Sequence, residues 1–523
     1  MNKGIKSFFD GASVLALATV VTKVLGLLYK APLSRILGDE GMGYFNSAYT
    51  VYTFFYILCS AGVPKAISII ISENDAKFNR KNEKTIVKIA LGAFFVFGLT
   101  LTALFLSFAD EISRVIKNEG AYLTMLAIAP SVLFVSLGGV AKGYQSGNSR
   151  LVPIAVSQLI EGGAKFFLGI LFALIGRGQG MSLPALSAFT ILGITLGSVF
   201  SALFLIISSS GHHDTAWDKA SRPRAIPLIK RIVKIAFPLT LGAAVMSITN
   251  MIDLVTVMDR LRALGYTEKD ASALYGNYTT LAVPMFNLVT ALVSPFFIAA
   301  LPMLTRSFTS DNLYSFEREL GETLKKTYFI VVPSTVAFVC YSEEILSLIF
   351  SKDSAILGAP LLTLLAPALV FLSLETLINT ALEASGCYKA PIISMLAGCV
   401  PKILISYFLI SRADFGILAA PLGTVACYAI GFLVSVFILY TKTEVRVPLI
   451  KQIIIPCLSS FGALSVADLT SKLLKNTLNG ALYSSLVLFL FASLYVIFYT
   501  LLLIFTKNRH FFLSNCTKSS AKN

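Results

Sequence analysis

Four long stretches of this chain carry no Asp, Glu, Lys or Arg: Gly178 to Gly211, Ala271 to Thr305, Phe415 to Thr441 and Asn476 to Thr506. Each exceeds the roughly 20 apolar residues that a helix needs to cross a bilayer. A water-soluble fold must bury such a run on every side, and comparable runs recur here from end to end. Of 523 residues, 56% are hydrophobic and only 14% charged, whereas soluble domains carry about 25% charged residues. A soluble enzyme, a DNA-binding protein and a secreted disulfide scaffold are therefore excluded. The apolar signal is continuous and not alternating, so the expected fold is an all-α polytopic membrane protein and not a β-barrel.

The 20-residue ruler places about fourteen spans, near 11–30, 44–72, 86–108, 120–141, 152–176, 184–209, 230–257, 273–304, 328–350, 355–384, 390–411, 416–440, 449–468 and 479–506. Lys3 and Lys6 precede an apolar stretch without a small-residue cleavage site, which reads as a retained span. With a cytoplasmic N-terminus, 27 of the 43 Lys and Arg residues fall in inside segments, 12 in outside segments and four within spans. That bias predicts a multi-pass plasma-membrane protein with both termini in the cytoplasm. It also accounts for most of the net charge of +15 without nucleic acid as a partner. The loops are short, so no soluble catalytic domain is inserted and the chain does not read as an enzyme. Leu313, Phe316, Leu320 and Leu324 share one helical face and predict an amphipathic helix lying in the interface. His212, His213 and Asp214 read as a solvated loop and not a metal site. The seven cysteines lack CxxC spacing and read as free thiols, all but Cys516 in or beside apolar runs.

An internal repeat sets the expected domains. Gly147 to Pro153 and Gly386 to Pro391 each stand at the cytoplasmic start of a span, and Lys165 and Lys402 follow those prolines by twelve and eleven residues. Thr190, Gly197 and Ser201 match Thr424, Gly431 and Ser435 with identical spacing. Spans 4–6 thus resemble spans 10–12. An even offset of six crossings gives both copies the same orientation, as in parallel-repeat transporters. The expectation is an N-terminal lobe at 1–210, a cytoplasmic linker at 211–229, a C-terminal lobe at 230–441, and two added helices with a tail at 442–523.

Charges inside spans are costly, about 2.5–3.5 kcal/mol each on insertion scales, and mark cavities or partners. Lys23, Lys65 and Lys402 have no acid three or four residues away and read as lining a cationic cavity. Lys165 has Glu161 four residues earlier, so an internal ion pair accounts for it as well as ligand binding does. Lys30 and Arg35 lie near the expected outer mouth, where they could attract an anion on exit. Glu375, Asn379 and Glu383 form a polar stripe that either takes up a proton or sodium ion or neutralises a lysine. Asp253, near Asn250, is a comparable candidate for ion coupling. A basic cavity suits an anion held by its phosphates, since lysine serves phosphate as a point charge. A lipid-linked pyrophosphate joins such a head to a tail that stays in hydrocarbon. No GxxxxGK[ST] run is present, so no nucleotide is expected. Energy would come from Na+, H+, the membrane potential or the substrate gradient, with no cofactor.

Several segments resemble one known family: Lys23–Tyr29 (KVLGLLY), Gly38–Gly41 (GDEG), Ser60–Ser68 (SAGVPKAIS), Lys142–Gly147 (KGYQSG) and Pro153–Glu161 (PIAVSQLIE). In order and position they resemble the MurJ/SpoVB-type flippases of the MOP exporter superfamily, which also holds the MATE drug exporters. The resemblance runs from Lys23 to about Leu439. It implies a fourteen-helix, two-lobed carrier that flips lipid II or a related undecaprenyl-pyrophosphate-linked oligosaccharide. It also implies that spans 13 and 14 line a groove for the lipid tail. This chain has Lys23 where relatives often carry arginine, and Tyr29 where some carry a second basic residue. Lysine keeps the charge but loses bidentate phosphate recognition.

The leading expectation is therefore an alternating-access flippase for a lipid-linked anionic glycan precursor, acting as a monomer among membrane lipids. A MATE-type antiporter of cationic drugs is the alternative, and intramembrane lysines argue against it. A non-transporting scaffold or sporulation factor is the third reading.

Overall fold

The computed structural model describes residues 3–76, 83–210, 224–387, 389–412, 414–443, 445, 449–474 and 481–520. The expected loop at His212, His213 and Asp214 lies outside the described residues, as does most of the linker. Among the described residues eighteen α-helices follow one another. They are α1 (Lys3–Ser60), α2 (Val63–Ala76), α3 (Glu83–Val115), α4 (Tyr122–Ile128), α5 (Ser131–Gly147), α6 (Leu151–Gly178), α7 (Leu183–Ser210), α8 (Ala225–Ala263) and α9 (Glu268–Asn277). Then come α10 (Val283–Thr309), α11 (Leu313–Cys340), α12 (Ser342–Ser347), α13 (Lys352–Leu365), α14 (Pro367–Ala384), α15 (Ala390–Ile410), α16 (Ala419–Lys442), α17 (Leu449–Leu474) and α18 (Ala481–Ser520). Among the described residues there is no strand, so the all-α polytopic expectation holds.

Among the described residues, eleven segments are long and apolar enough to cross a membrane, or twelve when the bent pair within α8 counts as one span. That is fewer than the fourteen expected, for two physical reasons. The stretch Leu17–Ser72 is one continuous apolar segment, although Gly38 (φ 66°, ψ −178°) breaks α1 into two arms. The arms fold back on each other there. Sixteen residues of straight helix would span about 24 Å, yet Lys30 Nζ lies 3.4 Å from Asn46 Oδ1. The second reason is α11, whose first half carries Glu317, Arg318, Glu319, Glu322, Lys325 and Lys326.

That half of α11 also corrects an expectation. Residues 313–326 are not a separate interfacial helix but the start of a continuous helix that runs to Cys340. Phe316, Leu320 and Leu324 are fully buried, and Phe316 meets the ring of Phe308 at 5.8 Å. The apolar stripe is satisfied by protein, so it does not need the lipid boundary.

The chain divides into two compact units. One comprises Met1–Thr280 with Ile403–Ala420, and the other Leu281–Lys402 with Pro421–Asn523. In the first, Ile67, Ile70 and Ile71 of α2 pack with Ile86 and Phe94 of α3, Val140 of α5 and Ile232 of α8 in one core. Close helix approach depends on small residues, as in membrane bundles generally. A Cβ on Gly193 of α7 would stand 2.5 Å from the Gly169 nitrogen of α6. In the second unit, Ala463 and Ala467 of α17 pack with Val487, Phe491 and Tyr495 of α18 and Tyr341. Large apolar side chains point outward in both units: Phe167 and Ile207 are 70% exposed and Phe489 75%. A soluble protein would hide these, and a bilayer solvates them.

Candidate functional site

The second arm of α1 is rich in aromatic residues at helical spacing. Tyr49, Tyr52 and Tyr56 fall at i, i+3 and i+7 and so share a face, with neighbouring ring centroids 5.9 and 5.8 Å apart. On the first arm, Thr19, Thr22 and Lys23 share a face for the same reason. Together with α5, α6 and α7 these two faces enclose a cavity of about 340 Å³ within the first unit. Its charged lining is Lys23, Lys142, Lys165 and Glu161. Polar groups come from Thr19, Thr22, Thr53, Gln158 and the three tyrosines. Three cations against one anion leave the lining formally at +2. The volume is at the small end of ligand sites, which run from roughly 300 to 1,000 Å³.

Each lysine is held differently. Lys165 Nζ stands 4.8 Å from the ring centroid of Tyr49 and 5.6 Å from that of Tyr29. Such cation–π placement stabilises an ammonium without neutralising it. The expected Glu161–Lys165 pair is not formed. Glu161 Oε2 lies instead 3.8 Å from Lys142 Nζ on α5, because the tyrosine faces already receive Lys165. Lys23 opens on the cavity and is exposed. Thr19 links the first arm to α6 through Gln158, whose Oε1 accepts from Thr19 Oγ1 at 3.1 Å.

The other expected residues lie elsewhere. Lys30 is not part of the cavity lining. It donates to the Thr279 carbonyl at 2.6 Å and to Asn46 Oδ1 at 3.4 Å, where the chain takes a π-helical turn at Tyr278–Ala282. Arg35 is exposed, and its backbone carbonyl accepts from Arg177 Nη1 at 3.0 Å. Lys65 is exposed on α2 and is not part of the cavity lining. Asp253 of α8 is buried and accepts from Ser406 Oγ at 3.1 Å. In the second unit, Lys402 is 5% exposed beside the Cys427 thiol. Glu375 is also buried there. Asn379 Oδ1 accepts from Ser435 Oγ at 2.8 Å and faces Ser394 at 3.5 Å. Glu383 follows on the same helix and is partly buried.

Sequence reasoning missed Lys142, Gln158 and the tyrosine face. The i, i+3, i+7 spacing of the tyrosines was the available signal. Lys142 gave none beyond its place in KGYQSG, since it falls at the edge of an apolar run. Among the described residues no group of three His, Cys, Asp or Glu side chains is arranged to hold a metal ion.

Residues 8–308 match the family described as "Polysaccharide biosynthesis protein". Stage V sporulation protein B of Bacillus subtilis (strain 168) is 23% identical over 474 residues, 90% of each chain. Lipid II flippase MurJ of the same organism is 24% identical over 454 residues, 81% of each chain. A solved structure, Lipid II flippase MurJ in its inward closed conformation, superposes with a TM-score of 0.71 at 19% identity, covering 93% of this chain and 98% of its own. The fold is thus that of a polytopic helical transporter.

Proposed function

Because the chain belongs to the polysaccharide biosynthesis protein family, as a MurJ/SpoVB-like member of the MOP exporter superfamily, we propose that it flips a lipid-linked cell-wall precursor. Lipid II or a related undecaprenyl-pyrophosphate-linked oligosaccharide moves from the inner to the outer leaflet of a bacterial plasma membrane, by alternating access. Both termini stand in the cytoplasm.

The observation that carries this reading is the cavity lined by Lys23, Lys142 and Lys165 against Glu161 alone. An excess of ammonium groups in a low-dielectric site attracts a pyrophosphate and repels a cationic drug. The tyrosine face and the threonine hydroxyls add donors and an apolar wall beside the phosphates. The buried Glu375, Ser394 and Ser435, with the partly buried Asn379 that bonds to both serines, supply a place for coupling to Na+ or H+.

The test is reconstitution in vesicles with two cargoes measured side by side. Transfer of a pyrophosphate-linked polyprenyl glycan between leaflets, without efflux of cationic dyes, is the expected result. Dye efflux without lipid transfer would replace this reading with a MATE-type antiporter.

A further inference from the structure

The cavity holds one acid among three lysines, and an acid has no part in gripping an anion. Glu161 Oε2 and Lys142 Nζ are 3.8 Å apart, which is ion-pair contact but too long for a good hydrogen bond. Both side chains keep about a quarter of their surface open, 27% and 24%. The two groups sit on different helices, α6 and α5, so rotation of side chains alone separates them. The hydroxyl groups of Tyr52 and Tyr56 also stand near Glu161. Lys23 and Lys165 have no carboxylate within ion-pair distance among the described residues. The cations therefore fall into two kinds: two are open to phosphate oxygens, and the third is already occupied by an internal anion.

We infer that Glu161 is a built-in competitor for the substrate's phosphate. It holds Lys142 while the cavity is empty, yields that lysine to a diphosphate on entry and takes it back on release. The inference rests on the reading of this cavity as a pyrophosphate site. A carrier gripping its cargo with all three cations would gain affinity and lose turnover, since binding that is equally strong throughout the cycle does not speed it. An internal carboxylate lowers affinity and restores a defined empty state. The long, partly exposed Lys142–Glu161 contact suits a partner that is exchanged, whereas a structural ion pair would be short and closed.

The test is calorimetric binding of inorganic pyrophosphate to the full-length protein in detergent, with flipping of a pyrophosphate-linked polyprenol in vesicles measured in parallel. Wild type is compared with Glu161→Gln, Glu161→Asp, Lys142→Gln and the double substitution. Glu161→Gln is expected to tighten pyrophosphate by about tenfold, equivalent to roughly 1.4 kcal/mol, while slowing flipping at saturating lipid. Glu161→Asp keeps the carboxylate on a shorter arm and is expected to fall between wild type and Glu161→Gln in both readouts. On a Lys142→Gln background the gain from Glu161→Gln shrinks to about twofold or less, as expected of coupled neighbours. Unchanged or weaker binding in Glu161→Gln, with wild-type binding intact, overturns the competitor role alone. A full tenfold gain without Lys142 also overturns it, because Glu161 would then act as bulk charge. If neither wild type nor Glu161→Gln binds pyrophosphate, the cavity reading falls together with the inference.

Discussion

Lys165 Nζ lies 4.8 Å from the ring centroid of Tyr49, over a face that the second arm of α1 turns toward α6. The contact fixes a positive charge in the cavity without supplying a negative one. A carboxylate in Tyr49's place would neutralise the lysine, and an aliphatic residue would leave it unsupported. Tyr49→Phe is thus expected to keep transport near wild type, and Tyr49→Leu to weaken pyrophosphate binding by the roughly 0.5–2 kcal/mol of a cation–π contact. Equal affinity in Tyr49→Leu and wild type would remove the ring from the account.

Glycines set how closely α1 and α9 approach. A Cβ on Gly276 would stand 2.5 Å from the Asp39 carbonyl oxygen, and one on Gly43 would collide with Ser272. Gly276→Ala should cost about 1–3 kcal/mol by overpacking. A lowered midpoint of thermal unfolding in detergent, with no loss of membrane insertion, is the expected observation.

The second unit carries a comparable restraint. A Cβ on Gly431 would come within 2.5 Å of Glu375 Oε1. Gly431→Ala should displace that buried acid while leaving the cavity of the first unit untouched. Flipping is expected to fall and pyrophosphate affinity to stay unchanged. Loss of both together would mean the two groups are not separable.

Orientation is open to direct labelling. In a cysteine-free background, a cysteine at Ser310 should react only with reagents that reach the cytoplasm, and one at Gln179 only from outside. The reverse pattern would invert the topology on which inner-to-outer transfer depends.

Much of the fold was legible because long charge-free runs admit few alternatives to membrane helices. The break of α1 was legible as the gap between the spans at 11–30 and 44–72, and the φ of 66° at Gly38 places the turn within GDEG. The interfacial helix at Leu313 misled because a stripe of apolar residues specifies a buried face without saying what buries it. At the site, Lys23, Lys165 and Glu161 were found by the cost of a charge in lipid. Their partners were not, since the i,i+4 rule sees one helix and the pairing of Glu161 with Lys142 crosses between two. Lys30 shows the same limit. Its acceptor, the Thr279 carbonyl, lies 249 residues away in sequence.

The central claim is that the substrate's pyrophosphate sits among Lys23, Lys142 and Lys165. Site-specific photocrosslinking tests it most directly. A photoreactive residue replacing Thr22 or Gln158, both in the cavity lining, should crosslink a radiolabelled polyprenyl-pyrophosphate glycan. Excess inorganic pyrophosphate should suppress the product. The same group at Phe489, on the lipid-facing side of α18, should give no product that pyrophosphate suppresses. Crosslinking that is absent from the cavity positions, or indifferent to pyrophosphate there, would contradict the account.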